Sequence, residues 1–416
     1  MPQLKILVLT SLYPPYYIGG YEIGCKDVVE GLQKRGHSIH VLTSTYGLDQ
    51  PVIDTYIERS LTIDVHPVAQ TTLAHQRRLY EREMHNQPRI LELVKELKPD
   101  IVFVWSFYQA SMSAVRMLQD QGYRTVFFIS DHWPIRIGIF DPWHYMPRHP
   151  LRWLGRKLLG WKLGRKTGFR NHLPISYANA IFASDFLLKQ TQPIGPMPNT
   201  HVIRWGVDYD LFVRRERSAP MGQRLLFVGQ ISGHKGMETL LEAFALVQQN
   251  HGFAQATLSI VGAGLSAEYT SDMQRYAETL GISQSVDWRG KLPRQELPDI
   301  YANHDILIFP SRWDEPFSIS VVEALAMGLV VVASDTGGTT EIIKHEETGM
   351  VFARDDAASC AAHIATLFTQ PALADKLRQQ ATAIVDREFR MTTMIDRVEA
   401  ALYAACNQAV PEKIEA

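Results

Sequence analysis

The sequence predicts an α/β protein with two successive doubly wound domains, each built on an open parallel sheet. Short continuous apolar runs, such as residues 5–9, alternate with helical segments in both halves of the chain, which is typical of βαβ units. A polar, charged and turn-rich joint at residues 204–222 separates the two sets. Since ligands bind at the carboxyl ends of such strands, we expect two domains facing a cleft.

Composition excludes several classes of protein. The 416 residues are 46% hydrophobic and 21% charged, and a net charge of −2 gives no case for a nucleic-acid-binding protein. Cys25, Cys360 and Cys406 are far apart in the chain, so we predict neither a disulfide framework nor a zinc site, which fits a reducing cytoplasm. The first apolar run is too short for a signal peptide, and no window reaches the roughly 20 apolar residues of a membrane span.

The first half is expected to begin with a βαβ unit and to continue as a parallel sheet. Its predicted elements are, in order, strand 5–9, helix 21–35, strand 38–43, a hairpin within 52–68, a polar helix or helix pair at 73–97 interrupted by Pro88, strand 100–105, helix 108–120, and strands 125–129, 180–183 and 201–205.

The second half repeats the alternation of apolar strands and amphipathic helices. Its predicted elements are strands 224–228, 256–261, 285–288, 305–309 and 329–333, helices 237–249, 266–280, 294–303 and 318–327, and two final helices at 372–385 and 391–405.

The stretch at residues 311–328 follows a buried strand and has the pattern of an anion site between two acids. Ser318 is a natural N-cap and Gly328 a natural stop, so the first backbone N–H groups of a helix lie between them. Glu315 precedes this helix and Glu323 lies in its second turn, and carboxylates accept hydrogen bonds from sugar hydroxyls. The alternative needs no ligand, because acidic residues near a helix N-terminus also favour its dipole.

Two further features lie where predicted strands end. Gly19 and Gly20 lie where the first helix begins and would let a ligand approach the backbone, although a tight loop is the more common reason for such a pair. Lys235 precedes a helix and could reach a diphosphate, and a solvated lysine is the alternative. No GxGxxG follows a strand in either half, which disfavours a nicotinamide-dependent oxidoreductase.

Several separated motifs together resemble a known family. They are GGYE, VIRWGVDYDLF, VGQISGHKGMETLLEAF, EPFSISVVE and VVVASDTGGTTEIIKHEETGMVF. In this order they are similar to those of the retaining glycosyltransferases of the GT-B fold, family 4 (glycosyl transferases group 1), which includes sucrose and mannosyl transferases. EPFSISVVE has the spacing of that family's E-x7-E motif.

The resemblance implies a domain organisation. Residues 1–205 would form a Rossmann-like acceptor-binding domain, with a basic aromatic insert at 142–170 that the family does not explain. Residues 206–222 would be the linker and 223–388 a Rossmann-like domain that binds the nucleotide-sugar donor. The helix at 389–416 is expected to cross back to the N-terminal domain.

The resemblance also implies residue roles. Lys235 would bind the donor diphosphate and stabilise the leaving group, Glu315 would hold hydroxyls of the donor sugar, and Glu323 would bind the ribose. The other donor-binding residues would be Phe317, Ser318 and Ile319 through backbone amides, Leu292 at the base, and Gly19 and Gly20 at the phosphate or the acceptor.

The chain departs from the family pattern at two positions. Gln230 stands where the family has an arginine beside Lys235, so it can donate a hydrogen bond but supplies no charge. Many relatives have a histidine at the position of Ser130, before Asp131, whereas here the histidine is His132. His132 is therefore either a catalytic residue on a shifted loop or a residue that packs beside Trp133, and we assign all three of Asp131, His132 and Trp133 to the acceptor side.

The implied reaction is transfer with retention of anomeric configuration, with Lys235, Glu315 and His132 as the catalytic candidates. No metal and no cofactor are expected. The donor would be a UDP-sugar, with GDP- or ADP-sugars as alternatives, and the acceptor a saccharide or lipid-linked saccharide of cell-envelope polysaccharide or glycolipid synthesis. The rival interpretation is a non-catalytic GT-B protein that binds a sugar nucleotide, which Gln230 favours and which intact Lys235, Glu315 and Glu323 oppose.

The basic aromatic insert, residues 142–170, interleaves tryptophans and leucines with eight basic residues and contains no acid. Such a stretch can lie on an anionic membrane, which would place a cytoplasmic protein at the inner face of the plasma membrane. The alternatives are a lid over the acceptor and a site for an anionic acceptor.

Overall fold

The computed structural model describes residues 2–64, 73–140, 150–168, 175–214 and 222–407. The chain forms two compact units, each with its own parallel sheet. The first unit contains residues 1–183, 187–203 and 395–416, and the second contains residues 184–186 and 204–394. The predicted α/β class and its two doubly wound domains are confirmed.

The first unit has an eight-stranded sheet in its described residues, in the order β3-β4-β2-β1-β5-β6-β7-β8. All pairs are parallel except the β3–β4 hairpin. Its elements are β1 (Lys5–Leu9), α1 (Gly20–Lys34), β2 (Ser38–Ser44), β3 (Val52–Asp54), β4 (Ile57–Leu61), α2 (Leu73–Leu97), β5 (Ile101–Val104), α3 (Met112–Asp120), β6 (Thr125–Ile129), α4 (Trp133–Phe140), α5 (Pro150–Thr167), β7 (Asn179–Phe182), α6 (Asp185–Thr191) and β8 (Asn199–Val202).

The second unit has a six-stranded parallel sheet in its described residues, in the order β11-β10-β9-β12-β13-β14. Its elements are β9 (Arg224–Val228), α7 (Met237–Gln249), β10 (Thr257–Val261), α8 (Ala267–Thr279), β11 (Val286–Gly290), α9 (Leu297–Ala302), β12 (Ile306–Phe309), α10 (Ile319–Ala326), β13 (Val330–Ser334), α11 (Thr339–Ile342), β14 (Met350–Phe352), α12 (Ala357–Thr369) and α13 (Pro371–Glu388).

The last helix, α14 (Met391–Asn407), returns to the first unit, as expected for the C-terminal helix. Its Ile395 packs so closely on α1 that a Cβ at Gly31 would lie 2.2 Å from the Ile395 side chain. Glu399 accepts from Arg35 at 2.5 Å and pairs with the His37 ring at 2.8 Å. The close contact at Gly31 and the two pairs of Glu399 therefore hold α14 against α1 in the first unit.

The predicted interruption at Pro88 is wrong, because helix α2 runs unbroken from residue 73 to 97. Proline removes one helical N–H and crowds the preceding turn, which normally kinks a helix. Here, buried packing holds α2 in place: Ile90 and Val94 are fully buried, and Glu83 accepts from Ser111 at 2.5 Å. Tertiary contacts thus offset the lost hydrogen bond.

Several elements were not predicted, namely α4, α5, α6, α11, α12 and β14. The longest in the second unit, α12, does carry a start signal, since the Asp356 side chain accepts from the backbone N–H of Ser359 at 2.9 Å. Its alanine-rich sequence has little amphipathic contrast, and so the periodic pattern was weak. Of the predicted insert at 142–170, residues 150–167 form α5, and residues 142–149 and 169–170 lie outside the described ranges. No helix within the described ranges combines the length and apolar character needed to cross a bilayer.

Candidate active site

The site in the second unit is built where β9 and β12 end at the carboxyl edge of the sheet. After β9, a short 3-10 turn at Gly233–Lys235 leads to Gly236, which has φ +71°. A Cβ at Gly236 would lie 1.8 Å from the carbonyl oxygen of Pro310, which follows β12. Only glycine permits this approach, and it brings Lys235 over the ring of Phe309, with its Nζ 5.8 Å from the ring centroid.

Lys235 and Glu315 form an ion pair at the centre of this edge. Lys235 Nζ lies 2.6 Å from Glu315 Oε1, and Ser311 Oγ donates to the same oxygen at 2.6 Å. The Glu315 and Ser311 side chains are buried, whereas the Lys235 side chain is 21% exposed. The two donors therefore fix the carboxylate, and the ammonium group stays accessible to an anion.

The loop that carries Glu315 is held by two consecutive glycines of the chain segment after β13. Gly337 has φ +50°, and a Cβ there would lie 2.4 Å from the Glu315 carbonyl oxygen. The Gly338 N–H donates to that carbonyl at 2.7 Å, and Ser334 Oγ donates to the carbonyl of Ser311 at 2.7 Å. Main-chain contacts therefore fix the loop before any ligand binds.

The N-terminus of α10 follows directly on this loop. Ser318 occupies the predicted N-cap position, but its hydroxyl pairs with Thr339 Oγ1 at 2.8 Å and makes no cap bond to the helix. Phe317 is buried with its ring centroid 6.1 Å from that of Phe389, and Ile319 is half-buried. The side-chain cap that the sequence predicts is thus absent at Ser318. The positive end of the helix dipole lies at this loop.

The second acid of the motif, Glu323, is buried in the second turn of α10 with 5% exposure. Its Oε2 accepts from the hydroxyl of Tyr301 at 3.1 Å, and its Oε1 lies 3.8 Å from an Nη of Arg294. The Arg294 guanidinium also lies 5.8 Å from the ring centroid of Phe212. Glu323 is therefore a polar group with protein partners, not a solvated helix residue.

Two other predicted donor residues lie in the same unit. Gln230 is half-buried directly after β9, and Leu292 is half-buried in the loop after β11. The pKa of His234 is lowered by burial and by the charge of Lys235, against the pull of Glu315. The neutral form of the His234 imidazole is thereby favoured beside Lys235.

In the first unit, Gly19 and Gly20 begin α1, as predicted. The Gly19 N–H donates to Glu22 Oε2 at 3.0 Å, so the N3 glutamate caps the helix start as in one half of a capping box, and glycine has no side chain to form the other half. Glu22 is buried, and that burial raises its pKa to about 7. Gly19 is half-buried and Gly20 is exposed, so the backbone at this loop is accessible.

Asp131, His132 and Trp133 follow β6 and differ in exposure. Asp131 and His132 are half-buried, whereas Trp133 is 1% exposed and packs with Phe127 and Tyr177 at centroid distances of 6.4 and 6.1 Å. Burial raises the pKa of Asp131, and the neighbouring His132 opposes that shift. The structure thus places Trp133 in the core beneath the two polar residues.

Within the second unit, the structure brings Lys235 and Glu315 into contact and places Glu323 in the second turn of the helix that follows. Sequence reasoning missed the residues that hold these acids, Ser311, Tyr301 and Arg294, and it missed Glu22. Glu22 carried a signal, because it is the last letter of GGYE at the third helical position. Among the residues that the structure describes, no group of three or more His, Cys, Asp or Glu side chains is arranged to hold a metal ion.

Comparison with known proteins agrees with this geometry. Residues 18–211 match the family model described as Glycosyltransferase Family 4, and residues 210–383 match the one described as Glycosyl transferases group 1. An uncharacterized glycosyltransferase of Methanocaldococcus jannaschii is 26% identical over 366 residues, which is 83% of this chain and 84% of the relative.

Solved structures show the same fold. Sucrose-phosphate synthase from Thermosynechococcus elongatus matches with a TM-score of 0.70 at 17% identity, over 97% of this chain and 100% of the other. Anabaena HepE in complex with UDP and glucose matches with a TM-score of 0.68 at 19% identity, over the same shares of the two chains. The two family models meet at residues 210–211 and together span most of the sequence. The chain therefore belongs to the group 1 glycosyltransferases of family 4 and has their GT-B fold.

Proposed function

We propose that the protein transfers a sugar from a nucleotide-sugar donor to a saccharide or lipid-linked acceptor with retention of anomeric configuration. The proposed donor is a UDP-sugar, and GDP- and ADP-sugars are the alternatives. The observation that carries this proposal is the contact of Lys235 Nζ with Glu315 Oε1 at 2.6 Å beside the start of α10. An accessible ammonium next to a fixed carboxylate suits a substrate with a diphosphate on one side and hydroxyls on the other. The complex of Anabaena HepE with UDP and glucose supports a donor whose nucleotide is UDP.

In the proposed reaction, the bond between the anomeric carbon and the diphosphate oxygen breaks as the acceptor hydroxyl attacks the same face. The leaving diphosphate takes the proton of that hydroxyl, so no separate base is required. Lys235 and the first amides of α10 balance the charge that develops on the diphosphate. Glu315 orients the sugar hydroxyls, and Asp131 and His132 serve the acceptor in this proposal.

The donor assignment is tested by a thermal-shift screen of UDP-, GDP- and ADP-sugars. We expect a UDP-sugar to raise the Tm of the wild-type protein, and Lys235→Ala to reduce that shift strongly, because a charge-assisted contact to the diphosphate is lost. Lys376→Ala is the matched control, since Lys376 is exposed on α13 of the same unit. Equal Tm shifts in the wild type and Lys235→Ala would contradict the donor site, as would a protein that responds to none of the sugars.

We also propose that α5 rests on an anionic membrane surface, which suits a lipid-linked acceptor. One face of α5 packs on the first unit: Leu163 is fully buried, and Thr167 Oγ1 donates to Gln87 at 3.2 Å. The other face presents Leu158 and Trp161 to solvent with exposures of 59% and 63%. The exposed cations around these two are Lys157, Lys162, Arg165 and Lys166.

Charge and apolar exposure on one helix face favour a membrane over an internal lid. The Arg165 guanidinium lies 5.1 Å from the Trp161 ring centroid, so the indole is flanked by charge as at a lipid headgroup boundary. Each basic residue near anionic lipid contributes about 1 kcal/mol, so four contribute roughly 4 kcal/mol. That amount is enough to govern peripheral binding.

Vesicle pelleting tests the membrane proposal. We expect binding to vesicles of phosphatidylcholine with phosphatidylglycerol, weak binding to phosphatidylcholine alone, and loss of binding when the four cations of α5 become glutamine. The control removes four exposed lysines elsewhere, Lys34, Lys95, Lys189 and Lys376. Equal losses in both variants would show a net-charge effect only and would contradict a site on α5, and so would binding that survives the α5 substitutions.

A further inference from the structure

Glu323 lies in an environment that leaves its carboxylate few orientations. It is 5% exposed, and the hydroxyl of Tyr301 on the neighbouring helix α9 donates to its Oε2 at 3.1 Å. A buried carboxylate without such a donor would be costly, because desolvation is not repaid by water. The hydroxyl of Tyr301 therefore both satisfies and orients this acid.

Tyr301 is itself immobilised. Its side chain is fully buried, and its ring centroid lies 6.1 Å from that of Phe212. Burial, followed by the charge of Glu323, raises the pKa of Tyr301 well above its usual value, so the hydroxyl keeps its proton at every working pH. The Tyr301 hydroxyl is thus always a donor. Glu323 Oε2 at 3.1 Å is its nearer acceptor, and the Ser320 carbonyl lies farther away at 3.4 Å.

Arg294 completes the arrangement on the other oxygen. Its Nη2 lies 3.8 Å from Glu323 Oε1, beyond hydrogen-bond distance, and its guanidinium lies 5.8 Å from the Phe212 ring centroid. The positive charge of Arg294 therefore faces the carboxylate of Glu323 from this side. The acid is therefore held as an acceptor from one side by a hydroxyl and from the other by a charge.

We propose that Tyr301 is a positioning residue that fixes Glu323 for the ribose hydroxyls of the donor, and that it sets the preference for ribonucleotides over 2′-deoxyribonucleotides. The proposal rests on the donor site proposed above and adds the residue that gives it sugar selectivity. An oriented carboxylate accepts from the vicinal 2′- and 3′-hydroxyls, whereas one that has rotated away gains little from the 2′-hydroxyl.

The test compares the affinities of UDP and 2′-deoxy-UDP, with the GDP and ADP pairs in parallel, measured by calorimetry on the full chain. We expect Tyr301→Phe to weaken UDP binding about tenfold and 2′-deoxy-UDP binding less, because the deoxynucleotide offers Glu323 only its 3′-hydroxyl, so the ratio of the two affinities falls. Tyr276→Phe is the matched control, because it removes another tyrosine–glutamate hydrogen bond, to Glu242 at 2.6 Å, on α8. That variant should keep the wild-type ratio.

The remaining outcomes separate the two proposals. A ratio that falls in Glu323→Gln but not in Tyr301→Phe would overturn the role of Tyr301 and leave the ribose site intact. Equal weakening of both nucleotides in Tyr301→Phe would show a structural role only and would also overturn it. A ratio unchanged in Glu323→Gln, or a wild-type protein that binds no nucleoside diphosphate, would contradict the donor site itself.

Discussion

Glu315 and Glu323 each depend on a buried hydroxyl that the sequence motif does not contain. Ser311 donates to Glu315 and Tyr301 donates to Glu323, at 2.6 and 3.1 Å. The spacing of the two acids was readable from the sequence because it lies within one loop and one helix. The partner of Glu323 could not be predicted from the sequence, because Tyr301 lies 22 residues before Glu323 and meets it only through packing of α9 on α10.

Ser311→Ala should lower kcat/KM about tenfold while the protein stays folded. The substitution removes a short hydrogen bond to an ionised carboxylate and leaves Lys235 as its remaining donor at Oε1, so the carboxylate is less well oriented. Steady-state kinetics with the donor found in the screen measures the effect. Ser271→Ala, an exposed serine on α8, is the control and should match the wild type. Unchanged kinetics in Ser311→Ala would show that Lys235 alone positions Glu315.

Glu22 should give the first unit a recognisable pH dependence of stability. Burial raises its pKa from 4.5 to about 7, so the folded state binds a proton that the unfolded state releases. Its contribution to stability is therefore present below pH 4.5 and is lost as the pH rises through 7, by about 3 kcal/mol in all. Glu22→Gln should abolish this loss.

Urea unfolding of the wild type and Glu22→Gln at pH 5, 6, 7 and 8 measures this difference. The difference in unfolding free energy between the two proteins should grow in favour of the glutamine variant as the pH rises. A constant difference would mean that Glu22 titrates normally in the folded chain.

At the scale of elements, the loop before α10 is shaped by its contact with the segment after β13. Gly337 and Gly338 belong to a motif that resembles the family's, but their structural role is visible only in the fold, where they pack on the backbone of Glu315. The same limit applies to α2, whose Pro88 predicted a break that buried packing overrides. Local patterns predict where a helix can form, and tertiary contacts decide which local signals prevail.

Gly337→Ala should destabilise the second unit by about 3 kcal/mol and lower the activity of the folded fraction. The new Cβ would lie 2.4 Å from the Glu315 carbonyl oxygen at a φ of +50°, so both crowding and backbone strain contribute. Gly252→Ala is the control, because its φ is +79° and a Cβ there would meet nothing within 4 Å.

Chemical denaturation of the two glycine variants separates these contributions. The control should lose about 1 kcal/mol from strain alone. Equal losses in the two variants would show that the contact between Gly337 and the Glu315 loop carries no energetic weight.

For the whole molecule, the sequence predicted two doubly wound units, because strand and helix periods repeat over long stretches. The return of the last helix was predicted from the resemblance to the glycosyltransferase family. The sequence also pointed to Lys235, Glu315 and Glu323, which lie in motifs of close sequence spacing. Trp133 shows a limit of prediction from the local sequence. As a tryptophan beside Asp131 and His132 it was assigned to the acceptor, yet the structure buries it among Phe127 and Tyr177. Burial of an aromatic residue next to polar neighbours depends on the fold and cannot be read from the local sequence.

The insert around α5 illustrates the same point at this scale. Its composition was compatible with a membrane contact, a lid or a site for an anionic acceptor. Only the fold separates the buried Leu163 from the exposed Leu158 and Trp161. The inner face explains why the helix is fixed to the first unit, and the outer face supports the membrane proposal.

The most direct test of the central claim is nucleotide release from the donor sugar in the presence of a glycan acceptor, with the anomeric configuration of the product followed by NMR. The wild type and Lys376→Ala should release UDP and form a product with the donor's configuration. Lys235→Ala should reduce kcat about 100-fold or more, because the departing diphosphate loses its cation. Equal rates in Lys235→Ala and the wild type would contradict the account, and so would a product of inverted configuration.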